Sequence, residues 1–302
     1  MMVLPDNLQA GDKIGILSTA RKINKEDLSY AIACLEEWGY VPVLGQTIEA
    51  EQDQFAGSDQ LRADDLQNFT NDDNIKAILC ARGGYGTVRI IDKIDFTPLI
   101  NKPKWIIGYS DVTVIHSHLH QLGIATLHAT MPINFPKSKD ESQEAIATLR
   151  SHLKGEKLSY TNIEAHQLNR SGKATGQIVG GNLSIIYSLL GSPSSLNTDG
   201  KILFLEDLDE YLYHIDRMMM NIKRNGLLDQ LAGLIIGGMS DMNDNAIAYG
   251  KSAVEIIAEH LAEYDYPVMF NFPAGHIERN LALPLGKQAE MVVGIENKLS
   301  FT

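Results

Sequence analysis

The 302-residue sequence is short of cysteine, of basic charge and of long hydrophobic runs. Its two cysteines, Cys34 and Cys80, are too few for a disulfide framework and suit a reducing compartment. The 38 acidic residues outnumber the 26 lysines and arginines, and the net charge of −12 disfavours nucleic acid or an anionic membrane as a partner. No apolar run reaches the roughly 18 residues of a membrane span, and the N-terminus shows no secretory signal pattern. A cytoplasmic location is therefore expected.

The rest of the composition is that of a globular protein. Hydrophobic residues make up 44% and charged residues 21% of the chain, whose length allows one large domain or two of ordinary size. Short apolar runs alternate with stretches of helical spacing in the first 129 residues. The predicted strands are 12–20, 40–45, 75–80, 104–109 and 124–129, and the predicted helices are 24–39, 58–69, 87–94 and 111–123. This alternation indicates a mostly parallel sheet with ligands beyond the carboxyl ends of its strands.

The chain changes character from about Lys137 to Gln177, where it is polar and contains one predicted helix, 142–153. Further elements follow at 177–191, 201–207, 231–241 and 267–276, with helices over 209–225 and 246–263. We therefore predict two α/β domains with a cleft between them. The N-terminal domain covers 1–136, the polar connection 137–176 and the C-terminal domain 177–302.

A serine at the tip of a predicted strand is the first candidate catalytic residue. In KWIIGYSDV, Ser110 stands between an apolar run and a helix, where serine often caps the helix N-terminus. The same turn can present a nucleophile, with the backbone N–H of Asp111 helping to stabilise an oxyanion. The G-x-S-x-G motif is incomplete because position 112 is Val112. The turn alone favours the cap, so the decision depends on partner residues.

A glycine-rich loop follows a neighbouring predicted strand. In ARGGYG, residues 81–86, Gly83 and Gly84 can present backbone N–H groups to a developing negative charge. The loop lacks the G-K-[ST] ending of a nucleotide-binding P-loop and does not fit G-x-G-x-x-G. By itself it is best interpreted as a tight turn. If the loop lies beside the Ser110 turn, a contribution to an oxyanion hole is about as plausible as a simple tight turn.

A nucleophilic serine needs a base, and the chain has nine histidines. Three of them, His116, His118 and His120, lie in the predicted helix after Ser110. His116 and His120 have a spacing that can bind zinc, but the H-E-x-x-H pattern is absent and buried or surface histidines are the favoured interpretation. His276 differs because it follows a strand in a loop rich in proline and glycine, where catalytic residues are often found.

The base needs an orienting carboxylate, and Glu206 ends the apolar run KILFLE. A carboxylate on a buried strand is costly without a donor, so we expect a partner for it. A structural cap or a salt bridge to Arg217 is the alternative. The acidic residues that follow are interpreted as helix-start carboxylates: Asp207, Asp209 and Glu210. Ser110, Glu206 and His276 would form a triad, an arrangement that recurs on unrelated folds in different chain orders.

Five stretches of the sequence together resemble the LD-carboxypeptidase (muramoyl-tetrapeptide carboxypeptidase) family, which includes the microcin-immunity peptidases. They are ARGGYGTVRI, GYSDVTVIHSHLH, IVGGNLS, LFLEDLDEYLYHIDRMM and GHIERNLALPLG, and they run in order through nearly the whole chain. The resemblance implies a flavodoxin-like, doubly wound N-terminal domain and a smaller, β-rich α/β C-terminal domain. It also implies that Ser110 is the nucleophile, His276 the base and Glu206 its orienting partner. The amides of Asp111 and Gly84 would form the oxyanion hole.

The reaction that the resemblance implies is hydrolysis, without metal or cofactor, of the amide between an L-configured centre and a terminal D-amino acid. In cytoplasmic members the substrate would be recycled murein tetrapeptide, with D-Ala released, and a homodimer is implied. Arg82 would anchor the substrate carboxylate, although a loop-bracing arginine is equally compatible. The chain departs from the expected HGPM at His128–Met131, where it has HATM. The departure leaves local loop shape and substrate preference open.

Three alternatives remain open from the sequence. The same triad could act on another acyl compound, such as a peptidyl antibiotic. The interdomain cleft could bind a peptide or sugar without catalysis, and then Ser110→Ala would leave function unchanged. Metal-dependent hydrolysis through His116 and His120 would be lost on chelation.

Overall fold

The computed structural model describes residues 2–135 and 140–302, which form two sheets with helices packed against them. The parallel strands of the first sheet are β1 Lys13–Leu17, β2 Val41–Leu44, β3 Ile75–Cys80, β4 Trp105–Gly108 and β5 Thr126–His128. They lie in the order β2-β1-β3-β4-β5, which is the flavodoxin-like order predicted for this half. The helices of this half are α1 Ser29–Glu37, α2 Asp59–Asn71, α3 Pro98–Asn101 and α4 Thr113–Gln121.

The second half supplies the other sheet. The strands of this half are β6 Ser159–Ile163, β7 Gly172–Asn182, β8 Ile202–Leu208, β9 Gly233–Ser240, β10 Val268–Met269, β11 Leu283–Leu285, β12 Gln288–Val293 and β13 Asn297–Phe301, and all except β11 belong to the second sheet. Its helices are α5 Asp140–Leu153, α6 Leu183–Ser188, α7 Leu212–Arg224 and α8 Ala253–His260. The sheet order is β10-β9-β8-β7-β12-β13-β6, parallel from β10 to β7 and antiparallel from β7 to β6. Two α/β units are therefore present, as predicted.

One strand of the second half belongs to the first sheet. β11 pairs antiparallel with β5, with Leu283 opposite His128. One buried apolar cluster also includes residues of both sheets, among them Leu127 of β5 and Phe204 of β8. Shared packing and a shared strand therefore fix the strand ends of the two sheets relative to each other. Within the described ranges, no helix has both the length and the apolar character needed to cross a membrane.

Burial explains why the central strands were visible in the sequence. β4 is buried along its whole length and β3 is buried except at Lys76, so both are continuous apolar runs. β6 instead has three exposed and two buried positions. Because its exposed residues are polar, the sequence predicted a connection there and not a strand. Residues 140–176 contain α5, β6 and the start of β7, while residues 137–139 lie outside the described residues. The exact division of the chain into domains stays a prediction.

Several helix boundaries differ from those predicted. The predicted helix 87–94 is two 3₁₀ turns, Thr87–Arg89 and Ile91–Lys93. The helix predicted over 246–263 begins only at Ala253, because Ser252 and Glu255 form a capping box at that point. Hydrophobic spacing predicted these helices, but local capping determines where they begin.

A buried lysine closes the end of α2. The Nζ of Lys104, which is only 4% exposed, donates to the carbonyls of Phe69, Thr70 and Asp72 at 2.7, 2.9 and 2.6 Å. Lys104→Met would leave these carbonyls without a donor. We expect the free energy of unfolding, measured by urea titration, to fall by about 1–3 kcal/mol.

The matched control is Lys102→Met, which removes an exposed lysine paired with Asp73 near the same helix end. A change of less than about 1 kcal/mol is expected, because exposed ion pairs contribute little to stability. Equal losses in the two variants would contradict the capping role of Lys104.

Candidate active site

The turn after β4 places Ser110 in an unusual backbone conformation. Its φ angle is +64°, a left-handed value that few residues other than glycine adopt. Ser110 begins a 3₁₀ turn that leads into α4, and within the described part of the chain its side-chain oxygen accepts no backbone N–H as a helix cap. Such strain often accompanies functional sites. The geometry therefore favours the nucleophile interpretation over the helix cap.

A histidine–glutamate pair lies at the ends of the second sheet's strands. Glu206, on β8, has no exposed side-chain surface, and its Oε2 lies 2.6 Å from Nδ1 of His276 in the loop after β10. The same oxygen accepts the backbone N–H of His276 at 3.1 Å. Gly275 has a φ of +109°, and a Cβ there would lie 2.7 Å from Glu206, so only glycine allows this approach. The alternative salt bridge to Arg217 is wrong, since that guanidinium lies over the Tyr213 ring.

The pairing determines the protonation of both groups. Burial alone would raise the pKa of Glu206, but the charge and hydrogen bonds of His276 outweigh it and hold that pKa below its usual value. Burial would lower the pKa of His276, yet the Glu206 charge and hydrogen bond raise it. When His276 is neutral, the proton on Nδ1 donates to Glu206 and the lone pair of Nε2 remains available to accept a proton.

Most of the residues predicted for the site line one cavity of about 470 Å³. They are Ser110, Asp111, Gly83, Gly84, Arg82 and His276. Glu206 contacts His276 from the buried side. Within the described residues, the side chains of Ser110 and His276 line the same cavity without a direct hydrogen bond between them. The structure therefore brings the predicted residues together from strand ends of two different sheets.

The glycine loop lies directly against the serine. A Cβ built on Gly83 would lie 2.9 Å from Oγ of Ser110 and 3.5 Å from the backbone nitrogen of Asp111. Gly84, with a φ of +123°, packs instead under the side chain of Arg21. The Oδ2 of Asp111 accepts the backbone N–H of Thr87 at 2.8 Å, which connects the two turns. Of the two glycines, Gly83 lies against the hydroxyl and Gly84 lies one residue farther along the loop.

Two of the three histidines of α4, His116 and His120, are buried, and His118 is half-buried. His116 Nε2 contacts the carbonyl of Gly108 at 3.0 Å, and His120 Nε2 contacts Oγ1 of Thr126 at 3.4 Å. Burial lowers the pKa of both imidazoles to about 3. No group of three or more His, Cys, Asp or Glu side chains within the described residues is placed to hold a metal ion. Their arrangement matches the interpretation as buried structural histidines.

The HATM segment lies next to the histidine–glutamate pair. His128, fully buried on β5, lies 3.3 Å from Oδ1 of Asn280, which also accepts the backbone N–H of Gly275 at 2.8 Å. Burial lowers the pKa of His128 to about 4, so the neutral ring donates to Asn280 through Nε2. Met131 lines the cavity itself. The departure from HGPM therefore falls beside the loop that positions His276.

The interpretation of Asp207 as a carboxylate at the start of the helix after β8 is wrong, and its carboxylate instead contacts the first turn of α6. β8 continues to Leu208, so Asp207 is still within the strand and is only 1% exposed. It accepts hydrogen bonds from Nδ2 of Asn182 and from the backbone N–H of Ser184, each at 2.9 Å. Burial, together with the charge of Glu206, raises the pKa of Asp207 to about 7. Its burial could not be anticipated from neighbouring acidic residues.

Two residues around the site were missed by the sequence analysis. Arg21 follows β1 at the same sheet edge as Ser110 and lines the cavity. Its position after a predicted strand was the available signal. Asn280 lies within GHIERNLALPLG, and its contact with Gly275 depends on how that loop folds back on itself.

Acyl-transfer chemistry requires a nucleophile, an oriented base and donors for an oxyanion. The site offers a serine with positive φ, a glycine loop against it and a paired histidine and glutamate. These residues lie on a flavodoxin-like α/β fold. The sequence comparisons agree with that class. Residues 14–129 match the LD-carboxypeptidase N-terminal domain and residues 175–291 match the LD-carboxypeptidase C-terminal domain. The chain belongs to the LD-carboxypeptidase family.

Individual relatives cover nearly the whole chain. A Bacillus subtilis protein named "Probable murein peptide carboxypeptidase" is 34% identical over 290 residues, which cover 95% of this chain and 91% of that protein. The "Murein tetrapeptide carboxypeptidase" of Pseudomonas aeruginosa is 27% identical over 286 residues, 92% of each protein. The structure of MccF in complex with glutamyl sulfamoyl guanosine has a TM-score of 0.88 at 21% identity and covers 99% of this chain and 98% of that one. Family membership supports a hydrolase activity.

The raised pKa of His276 can be measured directly by NMR titration of the histidine ring protons. We expect its pKa to lie above the ordinary value of about 6.5, because Glu206 stabilises the imidazolium. In Glu206→Gln the pKa should fall below that value, since burial then acts without the opposing charge. His116 and His120 should remain neutral through the same range. An unchanged His276 pKa in Glu206→Gln would contradict the pairing.

Proposed function

We propose that this chain is a metal-independent serine carboxypeptidase that hydrolyses the L,D-amide bond before a terminal D-amino acid. The single observation that supports this most strongly is the Glu206–His276 pair in contact with the cavity that Ser110 lines. The relatives named murein peptide and murein tetrapeptide carboxypeptidase support the substrate class, which is murein tetrapeptide with D-Ala released. A role in cell-wall recycling, a cytoplasmic location and a homodimeric state belong to the same proposal and rest on the family likeness.

The proposed mechanism uses residues that line this cavity, together with Glu206. Ser110 attacks the carbonyl carbon of the scissile amide while Nε2 of His276 takes its proton. Glu206 holds the imidazole in the required tautomer and stabilises the imidazolium that forms. The backbone N–H groups of Asp111 and Gly84 stabilise the tetrahedral oxyanion, with Gly83 allowing the loop to approach the serine. His276 then protonates the leaving amine, and water hydrolyses the acyl-enzyme with the same histidine as base.

The similarity to the MccF fold gives the second candidate function, in which the same triad cleaves a peptidyl antibiotic or a related acyl compound. The fold does not distinguish the two substrates, so substrate choice has to be tested directly. Release of the aminoacyl group from a sulfamoyl nucleoside, without D-Ala release from murein tetrapeptide, would favour this alternative.

The first test is D-Ala release from L-Ala-γ-D-Glu-meso-diaminopimelate-D-Ala. Wild type should release D-Ala with or without EDTA, whereas Ser110→Ala should lose at least about 10⁴-fold in kcat, because no other group supplies the nucleophile. Loss of activity with EDTA would point to a metal. Activity that survives in Ser110→Ala would contradict the serine mechanism, and an inactive wild type would contradict the substrate class.

Asn280 is proposed as a positioning residue, because its Oδ1 holds the backbone of Gly275 beside His276. Asn280→Ala should lower kcat roughly 10- to 100-fold with little change in KM, since a misplaced base slows proton transfer without affecting substrate binding. Asn280→Asp retains an acceptor at the same position and should recover part of kcat. Steady-state kinetics on the tetrapeptide measure both effects.

The control for this positioning role is Asn297→Ala. Asn297 is also a buried asparagine that accepts a glycine N–H, from Gly294 at 3.2 Å, but its amide nitrogen faces the carbonyls of Ile163 and Glu164 and not the loop with His276. Asn297→Ala should lower the free energy of unfolding by about 1–3 kcal/mol, as Asn280→Ala does, but it should leave kcat unchanged. A similar loss of kcat in both variants would mean that Asn280 acts only through stability.

A further inference from the structure

Arg21 is an exposed cation in the cavity that contains Ser110. It follows β1, and its side chain lies across Gly84, where a Cβ would approach its Cδ to 2.6 Å. Its side chain has no hydrogen-bond or ion-pair partner among the side chains and backbone of residues 2–135 and 143–302. The glycine beneath it is required for this position, because any larger residue would push the arginine away. The guanidinium therefore belongs to the cavity that Ser110 lines and is available to a ligand.

Arg82 has a different environment. Its Nη1 donates to the backbone carbonyl of Lys22 at 3.1 Å, so it holds the segment that follows Arg21 directly. Burial lowers the pKa of Arg82, and the nearby charge of Arg21 lowers it further. Arg82 thus uses part of its donor set to brace the backbone. Of the two arginines in the cavity, Arg21 has the uncommitted guanidinium.

The acidic residues of the same cavity are already engaged. Asp209 Oδ1 accepts Nδ2 of Asn243 at 2.8 Å, and Glu210 pairs with His214 at 2.5 Å. Asp207 is buried and accepts hydrogen bonds from Asn182 and Ser184. No described carboxylate of the protein lies within ion-pair distance of Arg21. An unpaired guanidinium beside the nucleophile fits an anionic group supplied by the ligand.

We propose that Arg21 binds the free carboxylate of the leaving D-amino acid, with Arg82 bracing the backbone beside it. This assignment rests on the proposed carboxypeptidase function and extends it. A guanidinium matches a carboxylate through two parallel hydrogen bonds. The interaction fixes the last residue of the peptide, so the bond before that residue lies at Ser110. It would restrict the enzyme to peptides with a free C-terminal carboxylate and exclude amidated or extended ones.

The test compares the tetrapeptide acid with the same peptide carrying a C-terminal D-alaninamide. Wild type should have a kcat/KM for the acid that is higher by roughly 10- to 100-fold, as expected for loss of a charge-assisted hydrogen-bond pair. Arg21→Ala should lose a similar factor on the acid and little on the amide, so that the preference collapses. Arg21→Lys should recover part of it. Arg82→Ala should reduce the preference less than Arg21→Ala does.

The matched control is Lys22→Ala, which removes the neighbouring cation. Lys22 is paired with Glu51 and does not line the cavity, so kinetics on both peptides should remain at wild-type values. A preference for the acid that persists in Arg21→Ala would overturn the assignment while leaving the carboxypeptidase function intact. Collapse in Arg82→Ala alone would also overturn it and make Arg82 the anchor. Failure of wild type to cleave either peptide would overturn the proposed function and the assignment together.

Discussion

A carboxylate that is completely buried needs donors that stay in place, and Glu206 obtains both of its donors from one residue. The imidazole and the backbone N–H of His276 meet the same oxygen, so the loop after β10 is held by its main chain as well as its side chain. Gly275 makes room for that approach, and Asn280 holds the glycine from the other side. The position of His276 therefore depends on connected contacts with the buried Glu206 carboxylate, Gly275 and Asn280.

The first sheet satisfies a matching constraint at Ser110. The positive φ of this residue is maintained because the turn is enclosed by neighbours on several sides, including Gly83 and the Asp111–Thr87 hydrogen bond. Glycines occur in both halves where a neighbouring functional group comes too close for a Cβ. Each half of the candidate site thus places one side chain against a glycine that leaves room for it: Ser110 against Gly83, and Glu206 against Gly275.

The sequence was sufficient for features that depend on local pattern. Apolar runs predicted β3 and β4. Ser110, Glu206 and His276 were selected because each stands at or just after the end of an apolar run in the sequence, and their roles stay a prediction. Features that depend on distant neighbours were not predictable. β6 was hidden by its polar face, and the burial of Asp207 depends on residues packed around β8. His128 and Asn280 are 152 residues apart in the chain, so their contact has no local signal.

The insertion of β11 beside β5 has a consequence for the order in which the protein is built. β5 leaves the ribosome early, but its antiparallel neighbour belongs to the last part of the chain. Until that strand arrives, the edge of the sheet that carries Ser110 is open, and non-local pairing of this kind is slow and prone to misassociation. The segment that closes the edge follows directly after the loop with His276. The strand that covers this sheet edge and the loop that contains His276 are thus synthesised one after the other, long after β5.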